Sequence, residues 1–87
     1  MPTQLFITQE EPTHCYVSGE PLQGRTVHLG LKTHRLLVTI LYAPENDIYY
    51  LPLFFLMEIR RDLELPATAL QSFEINDEPV ETFLATP

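Results

Sequence analysis

The side chains with the most chemistry to offer in this sequence are His14, Cys15, His28 and His34, its only soft metal ligands. A tetrahedral zinc site needs four such groups at about 2 Å from one ion, and these four follow no known metal-binding spacing. In an extended segment the neighbours His14 and Cys15 point to opposite faces. The expected reading is surface histidines and a buried thiol, with no metal and no cofactor; a small metal- or ligand-binding protein using His14, Cys15, His28 and His34 is the alternative. Nucleophilic chemistry at Cys15 would need an imidazolium or a helix N-terminus to lower its pKa, and a base within reach. His14 is next in sequence but on the wrong face of a strand. Gly19, Gly24 and Gly30 match neither the P-loop nor the dinucleotide spacing. The carboxylates Glu74, Asp77, Glu78 and Glu81 cluster near the C-terminus, where paired-carboxylate catalysis would need a cleft that sets their pKa values apart. A solvated acidic loop is the simpler expectation, so no catalytic residue is assigned.

Aromatic residues are the better lead. Tyr49, Tyr50, Phe54 and Phe55 crowd one junction, and Tyr and Phe supply much of the energy of both cores and interfaces. Leu53 to Met57 is apolar without a break, whereas a helix lying on one sheet needs only a single apolar stripe. The surplus predicts a protein interface made of Tyr49, Tyr50, Phe54 and Phe55, rimmed by Glu45, Asp47 and Glu78 and suited to a partner with a basic surface.

These residues must be positioned by short elements. Pro2 to Thr8 reads as a strand, and a second short strand fits His14 to Ser18. Thr26 to Leu31 alternates, with Val27, Leu29 and Leu31 on one face. His34 to Tyr42 is apolar on both faces and predicts a central strand covered on both sides. Lys32 and Thr33 lie between these two strands at hairpin spacing, a hairpin that could gather Arg25, Lys32 and Arg35 into one patch. Ala43 to Asp47 is a strong turn signal. Ile48 to Leu51 then returns as a strand until Pro52, which suits a helix start. The pattern predicts a helix over Leu53 to Leu65, ended by Pro66 and supported by Arg60–Glu64 and Glu58–Arg61 ion pairs. The tail, Ser72 to Leu84, reads as a hairpin with a four-residue polar loop, or as a short terminal helix capped by Asp77.

The chain's 87 residues allow one small domain with one core. Its 45% hydrophobic share and 20% charged share exclude the signature of a disordered chain. The expected architecture is α+β, a mostly antiparallel sheet of five to seven short strands with one helix packed on it. Twelve acidic residues against five basic ones give a net charge of −7, which opposes direct binding to a phosphate backbone. A single cysteine makes no intrachain disulfide and points to a reducing, cytoplasmic setting. Met1 to Glu11 lacks the basic and apolar regions of an export signal. The longest apolar stretch, Ile48 to Met57, is too short to span a bilayer. Together these features predict a noncatalytic, acidic, intracellular protein-binding module, an adaptor or inhibitor, monomeric or homodimeric. By analogy alone, a phage or mobile-element protein blocking a host nucleic-acid enzyme has this build. An accessory subunit of an enzyme complex is a further alternative.

Overall fold

Alternation of side chains places Leu5 and Ile7 of the first strand, β1 (Gln4–Thr8), in the core while Phe6 points to the opposite face. A computed structural model describes residues 2–85. After β1 come β2 (Gln23–Leu31), β3 (His34–Ala43), β4 (Ile48–Pro52), helix α1 (Leu53–Asp62), a 3₁₀ turn at Ala67–Leu70, and strands β5 (Phe73–Ile75), β6 (Glu78–Pro79) and β7 (Glu81–Ala85). The seven strands form one sheet in the order β6-β5-β2-β3-β4-β1-β7. Pairing is antiparallel except where β1 runs parallel to β4 and to β7. The expected α+β domain is therefore observed, with one detail that shapes it. Val80 donates its N–H to the Phe73 carbonyl at 3.2 Å, and the next residue, Glu81, donates to the Thr3 carbonyl at 3.2 Å. One residue thus joins the two ends of the strand order, and the sheet curls into a nearly closed barrel.

The main core fills this barrel with Leu5, Ile7, Val27, Leu29, Leu31, Tyr49, Leu51, Phe73 and Ile75, and α1 adds Leu56 and Ile59. A smaller core lies on the outer face, where the loop after β1 folds Cys15 and Leu22 against Phe6, Leu41, Ile48 and Tyr50. The expected strand at His14 to Ser18 is not formed. Only His14 bridges to Pro21; Cys15 starts a turn instead, its carbonyl accepting from Gly19 N–H at 3.0 Å while Gly19 adopts φ 77°.

The β2–β3 hairpin turns at Lys32 and Thr33, with Leu31 opposite His34 and Lys32 at φ 41°. Arg25 pairs with Ile40 far from that turn and lies over the Tyr42 ring at 4.6 Å. The three cations therefore do not share a patch. β3 is central in the strand order but is not covered on both sides: Leu41 packs into the outer core, whereas Leu37 is 66% exposed.

Pro52 closes β4 and opens α1 as expected. The helix stops at Asp62, short of Leu65, because Glu64 takes φ 52°. Leu65 N–H then reaches the Arg60 carbonyl at 2.9 Å and Glu64 N–H the Arg61 carbonyl at 3.2 Å, a Schellman ending that satisfies carbonyls the helix leaves open. The two predicted helical ion pairs are not made among the described residues; Arg60 Nε donates to the Leu65 carbonyl instead. In the tail a hairpin forms, but with a two-residue turn at Asn76 and Asp77, both at positive φ as a type I′ turn requires. Its second arm is only β6; Glu81 to Ala85 leaves it to pair with β1. Asn76 further ties the turn to β2, its N–H donating to the His28 carbonyl at 2.8 Å and its Oδ1 accepting from His28 N–H at 3.0 Å.

Candidate interaction surface

Register decides which backbone groups of β3 are used. With Leu31 and His34 closing a two-residue hairpin as a bonded pair, His34, Leu36, Val38, Ile40 and Tyr42 direct their N–H and C=O groups at β2. Arg35, Leu37, Thr39, Leu41 and Ala43 direct theirs the other way. The bonds from Asn76 to His28 agree, since His28 lies opposite Leu37 and must bond away from β3. On that second side β4 pairs only with Leu41, Tyr42 and Ala43. Arg35, Leu37 and Thr39 therefore form an open edge with which no described strand pairs.

Apolar surface flanks this edge. Leu37 stands on it, and Phe54, which lines a groove together with Thr39, is also exposed. Where β3 and β4 separate, a shallow groove of about 290 Å³ opens between Thr39, Ile40 and Leu41 on one side and Pro52, Phe54 and Phe55 on the other. Gly24 adds no side chain to it, and Glu11 is the one charged residue in its lining. An open edge beside an apolar groove is the arrangement that accepts an added strand: backbone bonds supply affinity and the groove selects a side chain.

Of the predicted interface, Phe54 is exposed and Phe55 is half-buried against the core while lining the groove. Tyr49 and Tyr50 are core residues, 3% and 0% exposed. Tyr49 stacks on Tyr42 with ring centroids 4.3 Å apart. Burial raises the pKa of both Tyr42 and Tyr49. Asp47 is occupied within the fold, accepting from the Thr3 and Tyr42 hydroxyls at 2.7 Å each. The Thr3 hydrogen bond outweighs partial burial, and with Tyr42 and Arg25 it holds the Asp47 carboxyl below its ordinary range. Glu45 lies in the exposed β3–β4 turn, its N–H donating to Glu20, and Glu78 sits on the edge strand β6. The predicted residues are thus spread over core, turn and a distant edge. Leu37, Thr39, Gly24 and Glu11 were not singled out from sequence. Their one signal was the polar break that Arg35 and Thr39 make around Leu37 on the second face of β3.

Cys15 is held in the outer core, its Sγ donating to Asn46 Oδ1 at 3.6 Å and accepting from the Tyr50 hydroxyl at 3.3 Å. Burial alone would raise its pKa. The hydrogen bonds from Tyr50, from the backbone N–H groups of Ser18 and Val17 and from the Ser18 hydroxyl overcome that and lower it. The phenol of Tyr50 is pushed up, by burial first and by the Cys15 contact second. His14 and His34 are exposed, each ring bonded to the threonine before it. His28 and His34 fall on opposite faces of the β2–β3 ribbon, so the four candidate ligands do not converge. Among the described residues no three His, Cys, Asp or Glu side chains are placed to hold a metal ion, and no helix is long and apolar enough to cross a membrane.

The geometry defines a small, nearly closed mixed barrel in which β3 leaves part of one side unpaired. No protein-family model, curated protein or solved structure matches this chain.

Proposed function

We propose that this chain is an acidic protein-binding module that acts by docking, as an adaptor or an inhibitor in the cytoplasm, rather than by catalysis. The observation that carries the reading is the open edge of β3, where the backbone groups of Arg35, Leu37 and Thr39 lie beside exposed Leu37 and Phe54. An incoming extended segment would complete those hydrogen bonds and lay an apolar side chain into the groove by Phe55. Glu11 at the groove and the net charge of −7 favour basic residues in that segment.

The test is a nuclear magnetic resonance titration of the protein with a short peptide of alternating lysine and leucine. Amide shifts should concentrate at Arg35, Leu37 and Thr39 and around Gly24 and Phe54. Gly24→Val should suppress them by filling the groove. A Cβ at Gly24 meets only the Thr39 methyl at 3.5 Å, an ordinary contact, so that variant should fold. Shifts confined to other surfaces, or none at all, would refute the reading.

A further inference from the structure

A second depression, on the outer face at the hairpin end of β2, gathers charges of both signs, and we propose that it binds a small zwitterion of the amino-acid class. Direct pairing in the sheet puts Arg35, Gly30 and Glu74 in one row across β3, β2 and β5, on the face opposite to buried Leu29 and Leu31. Gly30 has no side chain, so the middle of the row is a gap floored by backbone. A Cβ there would lie 3.1 Å from the Glu74 Cβ and press on that side chain. Over the gap opens a cavity of about 370 Å³, lined also by Lys32 from the β2–β3 turn and Asp77 from the β5–β6 turn. Its size falls within the range of small-molecule sites.

One wall of the cavity is held in place. Asn76 makes two hydrogen bonds to His28, at 2.8 and 3.0 Å, which pin the β5–β6 turn to β2. From that turn Asp77 grips the Arg35 guanidinium at 2.9 and 3.1 Å, using part of its five N–H groups and leaving the rest for a ligand carboxylate. The other two charges are unspent: among the described residues neither Lys32 nor Glu74 is in an ion pair. They set the chemistry of the ligand. A simple anion drawn by Lys32 meets the Glu74 carboxylate, and a simple cation drawn by Glu74 meets Lys32 and Arg35. A molecule with an ammonium for Glu74 and a carboxylate for Lys32 and Arg35 satisfies both, and having no net charge it escapes the repulsion that a net charge of −7 imposes on anions. The site is separate from the docking edge, because the Arg35 backbone groups point away from β2 while its side chain stands on the outer face.

Nuclear magnetic resonance titration tests this with L-alanine and γ-aminobutyrate, which differ in the separation of their charges, and with butyrate and butylamine, which carry one charge each. At least one zwitterion should shift the amides of Gly30, Lys32 and Glu74 together, saturating in the millimolar range expected of so small a ligand at a solvent-facing site. Neither single-charge compound should do so. Lys32→Gln and Glu74→Gln should each weaken the binding about tenfold or more while keeping the circular dichroism of the parent, both side chains being exposed. The lysine–leucine peptide reports on Leu37 and Phe54 instead, so this proposal and the docking reading fail separately. Butyrate or butylamine bound as tightly as the zwitterions, binding unaltered in either variant, or no shift at Gly30, Lys32 and Glu74 with any of the four compounds would overturn the proposal.

Discussion

Replacing Tyr50 by phenylalanine removes a single oxygen from the centre of the outer core. That hydroxyl accepts from Tyr16 N–H at 2.9 Å and donates to Cys15 Sγ at 3.3 Å, fastening the loop after β1 to β4. The ring keeps its place, with edge contacts to Tyr16 and Phe6 at centroid distances of 5.2 and 5.4 Å. The loss is therefore the hydrogen bonds plus the cost of an unsatisfied Tyr16 N–H, about 1 to 2 kcal/mol in all. In a domain of this size each kcal/mol moves the melting temperature by roughly 4–8 °C, so a drop of about 4 to 16 °C is expected by calorimetry. A second readout is specific to the hydroxyl. Because the Tyr50 hydrogen bond is among those that lower the Cys15 pKa, the thiolate absorbance of Tyr50→Phe should titrate at higher pH than in the parent. A variant as stable as the parent, with an unmoved thiol titration, would refute the view that this hydroxyl anchors the loop.

Glu64→Gly should raise stability by about 0.5 to 1 kcal/mol, since Glu64 holds φ 52° in the helix ending and glycine takes that conformation without a Cβ clash; urea unfolding measures it. Phe54→Ser should cost less than about 1 kcal/mol, its ring being 55% exposed, whereas Leu29→Ala, fully buried, should cost about 2 to 5 kcal/mol. Asp47 has a depressed pKa in the fold, so its contribution is complete above the ordinary carboxylate pKa of about 4 and is lost as pH falls through the folded value. Asp47→Asn should flatten that acid limb of the stability curve. Tyr42, Tyr49 and Tyr50 have raised pKa values, so their contribution is intact below about pH 10 and drains away above it. An alkaline unfolding transition that coincides with the onset of phenolate absorbance is the expected result.

Local patterning carried much of this fold. Val27, Leu29 and Leu31 alternate because one face of β2 is buried, and Pro52 marks the strand-to-helix junction because it lacks an N–H and has a fixed φ. What sequence could not display was pairing between distant segments. Val80 to Leu84 has ordinary strand composition, and nothing local distinguishes an arm of the β5 hairpin from a strand parallel to β1. The helix end was hidden for a similar reason: Leu63 and Leu65 continue the apolar pattern, while the break lies in the backbone angle of Glu64. At the candidate surface, the run from Tyr49 to Phe55 showed surplus apolar residues but not which of them face outwards. Strand alternation and the outer-core loop bury both tyrosines, leaving Phe54. Leu37 was concealed by the expectation that β3 is covered on both faces. Only the register with β4, which ends at the Leu41–Tyr50 pair, reveals the open edge.

Amide hydrogen exchange along β3, measured without and with the lysine–leucine peptide, tests the docking edge most directly. Leu36, Val38 and Ile40 bond to β2 and should be protected in both samples. Arg35, Leu37 and Thr39 should exchange freely in the chain alone and become protected together as the peptide is added. Equal protection of all six amides in the chain alone would contradict the account, because the edge would then be closed within the single molecule. Free exchange at Arg35, Leu37 and Thr39 that persists with excess peptide present would contradict it equally, because the edge would then be open and dock nothing.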